Sequence, residues 1–170
     1  MNSREKNLRI LRSLKYKNLA HQKDYQQITQ HADRLLIKSF FLNLSNQKEN
    51  FAAKLQQEIE RTEKELLQDS IPVFSKAPSE EKTIPLLKTS RHERHGLIKE
   101  CYRREKRNVL LYNYALSHIS ESGLREVLTF QKNKTKSWLR EIKCMGIRVY
   151  EDIEGALEPS PFEFNTKIKT

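Results

Sequence analysis

Apolar residues recur three and four positions apart through four long stretches of this chain, and that spacing is the constraint that most narrows its fold. A period of 3.6 residues puts such positions on one face of an α-helix, and each stretch is too long and too regular for a strand. The first runs over about 7–30, with Leu11, Leu14, Asn18, His21, Tyr25 and Ile28 in its stripe. The second runs over about 34–67, with Ile37, Phe40, Leu44, Gln47, Phe51, Leu55, Ile59, Thr62 and Leu66. Asp33 is placed to cap its start. Lys54/Glu58 and Glu60/Lys64 support its outer face as i,i+4 pairs. The third covers about 91–119, with Ile98, Cys101, Glu105, Asn108, Tyr112, Ala115 and Ile119. The fourth covers about 122–147, with Leu124, Val127 or Leu128, Gln131, Thr135, Trp138, Ile142 and Met145.

Between the second and third stretches, over 68–90, the periodicity collapses around Pro72, Pro78 and Pro85. A structureless loop of that length is unusual within a compact domain. Extended, it reaches about 70 Å, enough to return along a 30-residue helix of about 45 Å. The spacing therefore predicts an all-α fold: two antiparallel helical hairpins joined by a long crossover, the plan of the ferritin-like four-helix bundle. An up-down-up-down bundle with a long loop is the competing topology. The bundle is expected to occupy 1–149, and 150–170, with Pro159, Pro161 and no stripe, to be a flexible or surface-draped tail.

Composition removes other classes. Four Gly in 170 residues exclude collagen and turn-dense β folds, and two Cys do not make a disulfide scaffold. No apolar run is long enough for a signal peptide or a membrane span, so a cytoplasmic protein with reduced thiols and no membrane partner is expected.

Each stripe turns polar near its midpoint: Asn18 and His21, Gln47 with Asn50, Glu105 and Asn108, and Gln131 with Lys134. These residues are expected at one level of the bundle. Di-iron ferritin-like proteins place a Glu on each of two helices and Glu-x-x-His on each of the other two at such a level. Here Asn18, Gln47-x-x-Asn50, Glu105 and Gln131-x-x-Lys134 stand there, so one carboxylate remains. Amide oxygens are weak neutral ligands, and a hydrogen-bonded core layer that fixes helix register is the expected role, with no metal, cofactor or catalytic residue.

Other constellations are weaker. His92 and His95 begin the third stretch among Arg91 and Arg94, which oppose a bound cation. Cys101 falls on a core stripe. No Gly-rich phosphate loop, Ser-His-Asp pattern or Cys-x-x-Cys pair is present.

The net charge of +10 is unevenly placed. Residues 1–31 carry +5, and 91–120 and 121–149 carry +4 each, while 150–170 carry −3. Arg103, Arg104, Arg107, Lys132, Lys136 and Arg140 are expected on an outer basic face able to neutralise phosphates nonspecifically.

The third and fourth stretches also resemble a family. Glu100-Cys101, Arg103, Glu105, Tyr112, Ala115 and Leu116 are similar to the "ECERGED…AY..AL" run of a bacterial ferritin-like four-helix-bundle family of unknown function. Leu124-Arg125 and Gln131 resemble its following "LR…Q" helix. Tyr25, Gln47, Phe51 and Leu55 resemble its first-hairpin "GY…Q…F..EL" pattern. The similarity covers about 8–148 and rests mostly on packing positions. Arg104 replaces the family's Gly and Lys106 its usual acid. The resemblance implies a fold and a shared loss of metal ligands, with no established activity. The expected function is a non-catalytic structural, interaction or stress-associated protein. Alternatives are nonspecific binding of nucleic acid or an acidic partner, a divergent di-metal oxidase using Glu105 and His21, and homo-oligomerisation.

Overall fold

A computed structural model describes residues 3–68 and 94–145. They form four helices and, among the described residues, no strand: α1 (Ser3–His31), α2 (Leu35–Gln68), α3 (Arg94–His118) and α4 (Ser122–Cys144). The fold is all-α, as the periodicity predicts. No described helix is long and apolar enough to cross a membrane.

Isolated helices are marginal in water, so their stability must come from the buried faces. Those faces assemble two apolar clusters, each drawing on all four helices. One gathers Tyr25 and Ile28 of α1, Phe40, Phe41 and Leu44 of α2, Ile98 and Cys101 of α3, and Ile142 of α4. Phe40 meets both Phe41 and Trp138 edge-on, at centroid distances of 5.1 and 5.3 Å, the arrangement favoured by ring quadrupoles. The other gathers Leu8, Leu11 and Leu14, Leu55, Ile59 and Leu66, Tyr112 and Ala115, and Leu124 and Leu128.

Polar contacts fix which helices are neighbours. Between α1 and α2, Arg12 Nη2 stands 2.5 Å from Glu63 Oε1, Lys15 Nζ donates to Gln56 Oε1 at 2.7 Å, and Ser45 Oγ donates to the Gln22 carbonyl at 3.0 Å. Between α3 and α4, Arg125 donates to the carbonyl oxygens of Leu116 and Ile119, satisfying groups that the end of α3 leaves open. At the other end of that pair Lys143 Nζ lies 6.0 Å from the Tyr102 ring centroid. Arg61 of α2 joins Glu121, the N-cap residue of α4.

Helix limits differ from the sequence reading in detail. α1 begins at Ser3 and not near residue 7, which buries Asn7 and Leu8 as a further turn of the stripe. At α2 the Arg34 carbonyl accepts the first helical bond, from the Lys38 amide at 2.9 Å, so Arg34 and not Asp33 holds the cap position. α3 ends at His118, and Ile119 stays buried just beyond it. α4 ends at Cys144, short of 147. The expected crossover, apart from the helical Gln68, lies outside the described residues, as do the tail at 150–170 and the His92/His95 side chains. Cys101 is buried, Cys144 exposed, and both are free thiols.

Candidate functional site

Between the two apolar clusters lies a buried polar layer with an ion pair at its centre. Lys48 of α2 and Glu105 of α3 are 1% and 0% exposed, with Nζ to Oε2 at 2.6 Å. The other carboxylate oxygen accepts a hydrogen bond from the Tyr25 hydroxyl of α1 at 2.6 Å. Tyr25 in turn accepts the Cys101 thiol at 3.7 Å. A carboxylate taken out of water needs an opposite charge and hydrogen bonds at both oxygens, and Glu105 has all three. The Lys48 ammonium also lies 5.8 Å from the Phe51 ring centroid, where the ring face favours a cation.

A second chain of bonds runs through the layer. Asn18 donates to the Tyr112 hydroxyl at 3.1 Å and to the Leu14 carbonyl at 2.9 Å. Tyr112 donates to Gln131 Oε1 at 2.8 Å, and the Gln131 amide donates to the Phe51 carbonyl at 3.2 Å. Asn18, Tyr112, Gln131 and Phe51 belong to four different helices, so the chain ties the layer together across all of them. Thr135 Oγ1 closes back onto the Gln131 carbonyl at 2.9 Å.

The third part of the layer concerns charge. Asn108 Nδ2 faces His21 Nδ1 at 3.2 Å. An amide nitrogen only donates, so that contact needs a bare Nδ1 and a neutral imidazole. The electrostatics agree: burial first, then the positive charges of Arg104, Lys48 and Lys17, hold the His21 pKa well below its ordinary 6.5. Asp24, one residue before Tyr25, is buried and receives Arg104 Nη1 at 2.6 Å. Burial, followed by the nearby Cys101 and Glu105, pushes the Tyr25 hydroxyl well above its usual range. Burial likewise raises the Tyr112 hydroxyl and the Cys101 thiol. All three groups are therefore protonated donors at neutral pH.

The layer predicted from sequence is brought together in part. Asn18, His21, Glu105, Asn108 and Gln131 are buried. Gln47 is half-buried and accepts from the Trp138 indole. Asn50 and Lys134 are exposed and do not belong to the layer. Each stands one residue before a buried stripe position, Phe51 and Thr135, which is about 100° around the helix. Arg104, expected on the outer basic face, instead points inward, with 12% of its side chain exposed against Asp24. Of the other expected members, Arg103, Arg107, Lys136 and Arg140 are exposed and Lys132 is half-buried.

Lys48 is the central residue that sequence reasoning missed, because both Leu44-Gln47-Phe51 and Leu44-Lys48-Phe51 satisfy three-and-four spacing. The available signal was Glu105 itself: a lone acid on a core stripe requires a buried cation. Among the described residues no group of three or more His, Cys, Asp or Glu side chains is placed to hold a metal ion. Chemically, the layer's protons are fixed: a neutral imidazole, two un-ionised phenols, and a carboxylate whose two oxygens are both occupied.

No family model matches this chain. No curated protein and no solved structure matches it either.

Proposed function

We propose that this chain is a non-catalytic, cytoplasmic member of the bacterial ferritin-like four-helix bundles, built as two antiparallel hairpins, and that it serves as a structural or interaction protein. The observation that carries the reading is the Lys48–Glu105 pair. A carboxylate at mid-height of such a bundle is where a metal would bind, and here an ammonium of the same chain supplies the positive charge. Hard divalent metals need several anionic oxygens. Glu105 is occupied on both oxygens, the neighbouring Asp24 is held by Arg104, and His21 turns Nδ1 toward an amide. The antiparallel reading draws support from the order of contacts, since residues 12, 15 and 22 of α1 meet residues 63, 56 and 45 of α2.

The layer then acts as a register key. Apolar stripes alone tolerate sliding by a turn, whereas Asn18–Tyr112–Gln131–Phe51 and Tyr25–Glu105–Lys48 are satisfied in one alignment only. Among the described residues, the fully buried side-chain oxygens that lack a hydrogen bond, Asn7 Oδ1 and Glu58 Oε2, both lie outside the layer, and Arg61 stands 3.2 Å from the latter.

Metal loading tests the proposal. Protein incubated with Fe(II), Mn(II) or Zn(II) and desalted is expected to retain less than ~0.1 equivalent of each by elemental analysis. Retention of one or two equivalents per chain, lost on Glu105→Ala, would overturn the proposal and reopen the di-metal reading.

A further inference from the structure

We infer that the outer side of the α3–α4 pair is a docking surface for the phosphate backbone of double-stranded DNA, with Lys132, Lys136 and Arg140 as its centre. Two contacts orient this side. Arg125 reaches the end of α3, and Lys143 lies against Tyr102. Positions 125, 132, 136 and 143 share one flank of α4, with 140 at its outer margin, so that flank adjoins α3 along its whole length. The neighbouring flank of α3 adds Lys99 and Lys106, half-buried at the seam.

The acids of the two helices do not neutralise this surface. Glu105 is buried on Lys48, Glu100 pairs with Arg103, and Glu121 pairs with Arg61 of α2. Glu126 and Glu141 project from other sides of α4, each about 100° on from a basic neighbour. Among the described residues no ion pair involves Lys132, Lys136 or Arg140. The result is a straight cationic line from 125 to 143, about 27 Å long at 1.5 Å per residue.

A duplex is the complementary partner. It carries one negative charge per about 1.7 Å of axis, a density that a rigid row of cations meets without conformational change, and 27 Å spans about eight base pairs. Single strands are held largely by bases stacking on exposed aromatic rings. Among the described residues this side offers none: Tyr102 is buried beneath Lys143, and the exposed Phe130 belongs to another side of α4, against Lys134. A line of cations set at the spacing of phosphates carries positioning rather than base readout, so binding is expected to be sequence-independent.

The test is fluorescence anisotropy of a labelled 20-base-pair DNA duplex with the full chain, titrated across KCl concentrations. We expect binding at about 50 mM salt with a log–log slope between about −3 and −5, for three to five neutralised phosphates. The variant Lys132→Glu/Lys136→Glu/Arg140→Glu is expected to bind at least ~10-fold more weakly, with the slope reduced by about 1 per residue. The control Lys23→Glu/Lys38→Glu/Lys64→Glu changes three exposed cations of α1 and α2, hence the same net charge, and is expected to stay within ~3-fold of wild type. Circular dichroism establishes that both variants fold. Absence of binding at low salt, equal losses in the two variants, or displacement by poly-glutamate as readily as by unlabelled duplex would each overturn the inference.

Discussion

Removing one charge from the Lys48–Glu105 pair should cost far more than removing both. Glu105→Gln leaves an ammonium at 1% exposure facing a neutral amide, and Lys48→Met leaves a fully buried carboxylate held by Tyr25 alone. Stripping one partner from a buried pair costs about 3–5 kcal/mol, mostly the penalty of the charge left behind. The double variant Lys48→Met/Glu105→Gln has no buried charge at this point, and the new amide oxygen still accepts from Tyr25. Its expected cost is about 1–2 kcal/mol, so it is more stable than either single variant. Urea unfolding followed by circular dichroism measures this. With an m-value near 2 kcal/mol per molar, each single variant should lower the midpoint by about 2 M, and the double by less than about 1 M. A single variant too unstable to fold, beside a folded double, gives the same answer. Additive costs would refute the reasoning, because they would mean that the two groups do not compensate each other.

Acid should destabilise the fold through His21. Its folded pKa is depressed, so the unfolded chain binds the proton first as pH falls through 6.5, and stability is lost below that value by up to about 1.4 kcal/mol per pH unit. His21→Asn is expected to flatten that slope in urea midpoints measured from pH 7 to 5, and an unchanged slope would contradict the assignment. Alkali should act on Tyr25 and Tyr112, whose folded pKa values are raised: stability is kept below pH 10 and lost above it as the unfolded phenols ionise. Their phenolate absorbance at 295 nm should then appear together with loss of helix, and titration inside a folded chain would be the contrary result. Tyr112→Phe strips the Asn18 amide of one acceptor and Gln131 Oε1 of its donor, at an expected cost of about 1–3 kcal/mol in the same unfolding assay. A cost below about 0.5 kcal/mol would show that the chain of bonds does not hold the layer.

Spacing made the helices and most of their buried faces legible. Leu11, Leu55, Tyr112 and Leu128 fall where a 3.6-residue period puts them, and all are in the core. The polar layer was legible only where a polar residue interrupted a stripe, as at Asn18, Glu105 and Gln131. Periodicity cannot choose between adjacent positions when both obey the three-and-four rule. Gln47 and Lys48 both satisfy it, and only the acid facing Lys48 from another helix decides between them. Asn50 and Lys134 stand near the midpoints of their helices, at the level where a polar layer is expected, and share the i,i+3 spacing of Glu-x-x-His metal sites. The fold instead uses Phe51 and Thr135 on those turns, leaving both polar residues in solvent. Arg104, expected on the outer basic face, pairs with Asp24, whose burial beside Tyr25 no stripe announces. Such pairings join residues 57 and 80 positions apart, and only the packed fold brings them together.

The central claim is that a charged lysine of this chain occupies the middle of the core. Nitrogen-15 NMR of lysine side chains tests it directly. At neutral pH one ammonium resonance should be protected from solvent exchange, should couple to a glutamate carboxylate, and should be absent from Lys48→Met. A spectrum in which every lysine ammonium exchanges freely, or in which the Lys48 signal is that of a neutral amine, would contradict the account.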